Sequence, residues 1–168
     1  MQPIPINLAV EDFLSEAVLR RILRFTKRPY ATGTCFCKGG YGYLKKNIAG
    51  FNHAAKTTPF LVLTDLDDRE AFAKFLGIQL RSIPANVDTI SDPKQFLLSL
   101  TKKSKKRQLR EAIAPAPGST ARVGPDYNGQ LGFFVETLWD VALAMKHSPS
   151  LQRTVSVVKD FNPHWHVQ

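Results

Sequence analysis

The chain has 168 residues, 43% of them hydrophobic, which suits one domain with a small appendage and a core that needs neither disulfides nor structural metal. Its 23 Lys and Arg outnumber 14 Asp and Glu, a formal charge of +9 that favours polyanionic partners such as DNA, RNA or an acidic protein surface. No apolar run reaches about 18 residues and the N-terminus lacks the features of a signal peptide, so the expectation is a cytoplasmic protein with no membrane span.

Ile4 to Val10 reads as a short strand, with Ile4, Ile6, Leu8 and Val10 apolar and Pro3 and Pro5 confined to its start. Glu11 stands where that strand ends. Ser15 reads as the N-cap of a helix over Glu16 to Phe25, with Val18, Leu19, Ile22 and Leu23 at helical spacing and Pro29 beyond its end. Tyr30 to Cys37 reads as a second strand. Its Cys35 and Cys37 would share one face, where a disulfide would be strained, so both read as buried free thiols.

Lys38-Gly39-Gly40-Tyr41-Gly42 is a glycine-rich turn before a poorer helix from about Tyr43 to Lys56. The turn lacks the G-K-[ST] ending of a P-loop, which excludes nucleotide binding of that kind, although Lys38 is a candidate phosphate contact. Pro59 to Thr64 is the clearest strand. Being short and almost wholly apolar, it is expected to be central and buried on both faces, and it runs into Asp65-Leu66-Asp67-Asp68. Strand, helix, strand, helix, strand implies right-handed crossovers and a largely parallel sheet.

A helical segment from Glu70 to Leu76 is closed by Gly77. Asp92 and Pro93 then start another helix, as N-cap and N1, with Phe96, Leu97 and Leu100 as its buried stripe. The basic run that follows holds Lys102, Lys103, Lys105, Lys106, Arg107 and Arg110. It is suited to tracking a phosphate backbone, or else is a solvated helix face without interleaved aromatics. A Pro/Gly loop at Pro115 to Thr120 leads to a helix over about Asn128 to Val141, with Leu131, Phe134, Val135 and Leu138 on one side. The tail from Ser148 has a weak helical pattern, and its His164 and His166 flank Trp165 in an aromatic end that reads as packed or disordered rather than metal-binding.

Ligand sites in open α/β folds lie outside the carboxyl ends of the strands, which is where Glu11 and the pair Asp65 and Asp67 would meet. Asp65 and Asp67 share a face if the strand geometry persists. Three carboxylates there repel one another without a cation and form an all-oxygen set suited to Mg²⁺ or Mn²⁺. Asp68 is a further candidate ligand, although capping the next helix also explains it. For Glu11 the alternative is a solvated carboxylate near a helix N-terminus, and for the aspartates it is loop capping.

A glutamate after the first strand (Ala9-Val10-Glu11-Asp12) and an Asp-x-Asp after the third (Leu63-Thr64-Asp65-Leu66-Asp67) resemble the TOPRIM domain family of topoisomerases, primases and overcoming-lysogenisation-defect nucleases. The turn Gly39-Gly40-Tyr41-Gly42 resembles the family's middle turn. Asp92-Pro-Lys-Gln-Phe-Leu-Leu98, Pro117-Gly-Ser-Thr-Ala-Arg-Val-Gly-Pro125 and Ser148-Pro-Ser-Leu151 are similar to a bacterial branch of small TOPRIM-like proteins found beside an ATPase partner. In that branch another strand and a Glu-containing helix are expected after the Asp-x-Asp, whereas here Asp67 runs straight into Asp68-Arg69-Glu70. Glu16, Asp68 and Glu70 are the substitutes available for the missing later acids.

The expected fold is therefore α/β, a TOPRIM-like, Rossmann-like parallel sheet over residues 1–90 with a basic helical extension over 91–168. What the resemblance implies is a Mg- or Mn-dependent nuclease acting on DNA, with Glu11, Asp65 and Asp67 catalytic, and a role in phage defence beside an ATPase. The short segment after Asp67 keeps an alternative open, a non-catalytic nucleic-acid-binding or regulatory subunit with a partly lost site.

Overall fold

A computed structural model describes residues 3–37, 40–63 and 69–163, with 41, 69–72 and 80 described through their backbone alone. The chain forms two compact units, residues 1–66 with 153–168 and residues 67–152, where the sequence reading had divided it after residue 90.

The first unit is built on strand β1 (Ile4–Val10), flanked in parallel by β2 (Tyr30–Phe36) and β3 (Phe60–Leu63) in the order β2-β1-β3. Parallel strands need crossovers, and these are α1 (Phe13–Phe25) and α2 (Gly40–Ala54). Strand side chains alternate between faces, and the core divides accordingly. Ile6, Leu8 and Val10 pack with Leu19 and Leu23 of α1 and with Val158 of α8 (Pro149–Asp160), whereas Ala9 packs with Leu44 and Phe51 of α2. Helices thus cover both faces of the sheet in an α/β arrangement of the Rossmann-like kind.

β3 is an edge strand and not the expected centre. Nor is it buried on both faces as expected: Leu61 and Leu63 join the α1 side and Phe60 stacks on Phe51 at 5.4 Å between ring centres, but all three are only half-buried. Val62 remains 39% exposed. The central place belongs to β1, whose Leu8, Ala9 and Val10 are fully buried. Pro5 is tolerated there because β3 begins opposite Asn7, so a nitrogen on that side has no ladder partner to lose.

The register of β1 against β2 shifts between Ile6 and Leu8. At that point Asn7 Oδ1 accepts the backbone N–H of Thr34 at 2.9 Å, and a Cβ on Gly33 would stand 2.4 Å from the same oxygen. The N-cap of α1 is Asp12 and not Ser15. The extended backbone of Asp12 lets its short carboxylate accept the N–H of Ser15 at 2.8 Å. Helix α2 starts at Gly40, so the latter half of the expected glycine turn is helical, and it ends at Ala54.

The second unit is helical: α3 (Arg69–Leu76), short 3₁₀ turns at Leu80–Ser82 and Val87–Thr89, α4 (Pro93–Lys102), α5 (Arg107–Ile113), α6 (Tyr127–Thr137), α7 (Val141–Ala144) and the first turn of α8. Asp92 caps α4 as expected, accepting the N–H of Gln95 at 2.9 Å with Pro93 in the first turn. The buried residues of α4 are Leu98, Leu100 and Thr101, while Phe96 and Leu97 are half-buried. Leu131, Phe134 and Val135 of α6 are buried as expected. Leu138 is exposed because the helix ends at Thr137, and the next residue, Trp139, fills the core instead. No described helix is long and apolar enough to cross a membrane.

Candidate functional site

The carboxyl edge of the sheet is where the two acid-bearing strands end. Val10 pairs with Leu63, so the chain leaves β1 and β3 from neighbouring positions. Glu11 follows Val10 directly and is half-buried. Asp65, Asp67 and Asp68 lie outside the described residues, as does the side chain of Glu70. Among the described residues no three His, Cys, Asp or Glu side chains gather as a metal site.

The other acids near Glu11 in sequence are committed. Asp12 caps α1. Glu16 accepts from Arg20 Nε at 2.8 Å and pairs with its Nη2 at 2.7 Å, while Arg20 Nη1 donates to Thr32 Oγ1 at 2.7 Å. This ties α1 to β2 and engages Glu16 in an ion pair within the unit. Cys35 is a free thiol beside this pair. Its burial, the Glu16 carboxylate and the neighbouring Cys37 push it up to about 12, with Arg20 working in the opposite direction. Burial raises the Cys37 thiol as well, with Glu16 and Asp12 adding to the effect. Both thiols are half-buried rather than buried as expected, but they keep their protons at neutral pH, which fits free thiols and not a nucleophile.

An apolar groove of about 860 Å³ lies elsewhere in the same unit, lined by Ile6, Tyr30, Pro59, Phe60, Leu61 and Val157 among others. Pro59 and Phe60 stand at the start of β3, so it opens near the amino ends of the strands, away from Glu11.

In the second unit the six cations of the basic run separate into two sets. Lys106 Nζ donates to the carbonyls of Lys74 at 3.2 Å and Phe75 at 2.8 Å, and buried Ser104 donates to the carbonyl of Leu76. These donors satisfy the last carbonyls of α3, where a cation also complements the helix dipole. Arg110 donates to the carbonyl of Ser104, and Arg107 pairs with Glu111 at 2.7 Å. Lys102, Lys103 and Lys105 are exposed and make no such bonds among the described residues.

Sequence reading missed Asp88. It accepts from Ser148 Oγ at 2.7 Å, Ser150 Oγ at 3.0 Å and Ser150 N at 2.9 Å, and Ser148 Oγ accepts the N–H of Leu151 at 3.2 Å. The Ser148-Pro-Ser-Leu151 stretch thus starts α8 with a cap that Asp88 holds. Ser148 followed by Pro149 was the available signal for the cap, but nothing local pointed to Asp88, 60 positions away. Lys38, His164 and His166 lie outside the described residues, His53 is exposed, and His147 Nδ1 is 3.2 Å from the carbonyl of Ala85.

Compared with known proteins, the chain matches no family model, no curated protein and no solved structure.

Proposed function

We propose that the chain is a TOPRIM-like, Mg²⁺- or Mn²⁺-dependent nuclease that hydrolyses phosphodiester bonds of DNA, with Glu11, Asp65 and Asp67 as its acidic site and Asp68 as a further ligand. The observation that supports it is the parallel pairing of Val10 with Leu63 beside a half-buried Glu11. The two strands that carry the acids in sequence end as neighbours, at the edge where open α/β sheets bind ligands.

The donor set is wholly carboxylate oxygen, which suits a hard divalent cation. When bound, such an ion supplies polarisation of the scissile phosphate and an activated water. Glu11 would serve as ligand and exchange a proton at its carboxylate oxygen. Asp65 and Asp67 would anchor the ion. The ATPase partner and the role in phage defence rest on the resemblance, and the cytoplasmic location rests on the N-terminus reading as no signal peptide and on the want of a long apolar run.

A second reading, a non-catalytic nucleic-acid-binding or regulatory subunit, is favoured by one observation. Glu16, a substitute for the later acids expected after Asp67, is paired with Arg20. Mn²⁺ titration by calorimetry separates the two. A nuclease site binds Mn²⁺ and loses it in both Glu11→Gln and Asp65→Asn. An eroded site takes up no Mn²⁺ even as the unaltered protein.

A further inference from the structure

Three cations of the second unit line one groove with no carboxylate among the described residues around it. Lys102 closes α4, Lys103 is its C-cap, and Arg122 comes from the loop between α5 and α6. With Gln95 and Ser99 they line a concavity of about 350 Å³ over Leu98. None of the three cations makes a hydrogen bond or ion pair among the described residues.

Most acids described in this unit are committed elsewhere: Asp88 serves Ser148 and Ser150, Asp92 the N–H of Gln95, Glu111 its partner Arg107, Asp126 the amide of Gln130, and Asp140 the N–H of Leu143. Glu136 of α6 is exposed and does not line the groove. Like charges brought together repel, and an anion in the groove relieves that repulsion.

The loop that carries Arg122 is anchored. Gly124 N donates to the carbonyl of Ile113 at 2.8 Å and Asp126 N to that of Ala112 at 3.0 Å. A Cβ on Gly124 would stand 2.3 Å from the Ala112 carbonyl oxygen, so this backbone contact admits only glycine. Arg122, two positions earlier, is thus presented from a fixed support.

We infer that this groove binds the phosphate backbone of a nucleic acid, with Lys102, Lys103 and Arg122 as its cations and the Gln95 amide as a neutral donor. The Ser99 hydroxyl donates to the carbonyl of Phe96 at 2.7 Å and lines the groove without supplying a proton to it. Lys105, two positions after Lys103 and exposed on the linker to α5, offers a further cation to a polymer with a phosphate at every unit and none to a single small anion held in the groove. Lys106, Arg107 and Arg110, engaged within the unit, are not part of the track. The inference deepens the proposed nuclease by naming where its substrate's backbone is held, but the groove can be read without catalysis.

The test is fluorescence anisotropy of a labelled single-stranded deoxyoligonucleotide with the full chain in EDTA, across a salt series, so that neither metal nor cutting contributes. The triple variant Lys102→Ala/Lys103→Ala/Arg122→Ala should bind on the order of tenfold more weakly at about 0.1 M salt, with the log–log salt slope shallower by about 2. The control Lys45→Ala/Lys46→Ala/Lys56→Ala removes the same charge from exposed positions of the first unit and should shift both readings much less. An unchanged thermal melt establishes that the variants are folded. Equal weakening by the two triples, or no binding by the unaltered chain, overturns the assignment. So does equally tight binding of polyglutamate or phosphatidylserine vesicles with the same loss in the groove variant, which would mark a general anion patch.

Discussion

Asn7 Oδ1 and the backbone N–H of Thr34 meet at 2.9 Å at the point where β1 and β2 change register. The side chain replaces the ladder bond that the irregularity removes, and Gly33 leaves the oxygen its space. Asn7→Ala is expected to cost about 1 kcal/mol in chemical denaturation. Gly33→Ala should cost about as much, because its methyl displaces that oxygen and breaks the same bond. The double variant should therefore cost clearly less than the sum of the two. Strict additivity would show that the two residues act independently.

Asp88 holds the start of α8 through three hydrogen bonds from Ser148 and Ser150. Bonds to a charged acceptor are the stronger kind, and removal strands two hydroxyls and an N–H. Asp88→Ala is expected to lower stability by about 2 kcal/mol, and Asp88→Asn, which keeps one acceptor, by roughly half of that. Equal losses in both variants would show that charge, rather than the hydrogen bonds, carries the effect.

The Cys35 thiol, raised chiefly by burial and next by Glu16, stays protonated when folded at pH values where the unfolded chain has lost its proton. A raised folded value means that the stabilisation is complete below the ordinary thiol value of about 8.5. It then drains away as pH climbs towards about 12. Stability should thus fall across this alkaline window, and fall less steeply in Cys35→Ala. Alkylation at about pH 8 should be many-fold slower in the native than in the denatured chain, since only the thiolate reacts. Native rates matching the denatured ones would contradict the assignment.

What the sequence made legible was governed by local physics. The period-two run of Ile4, Ile6, Leu8 and Val10 and the helical spacing of Val18, Leu19, Ile22 and Leu23 survive into β1 and α1, because each element buries the face that its pattern marks. The Asp92-Pro93 cap did too. Strand order was not legible: the apolar run at Phe60 to Leu63 has partial contacts on both sides, which an edge strand between helices supplies without burying any of the four residues. The fate of the basic run was equally hidden. Whether a lysine faces solvent or the last carbonyls of α3 depends on tertiary contacts, as between Lys106 and Phe75. Of the proposed acidic site, the residues come from the sequence alone, Asp65, Asp67 and Asp68 lying outside the described residues, and the structure adds the neighbouring ends of β1 and β3 and the half-burial of Glu11.

The most direct measurement is cleavage of supercoiled plasmid and single-stranded DNA by the full chain with Mn²⁺ or Mg²⁺, beside EDTA, Glu11→Gln and Asp65→Asn. The proposed site predicts cutting that requires the metal and drops by at least about a hundredfold in either folded variant. Cutting that survives both substitutions would contradict the assignment of the site, and well-folded protein that cuts neither DNA with either metal would contradict the nuclease itself.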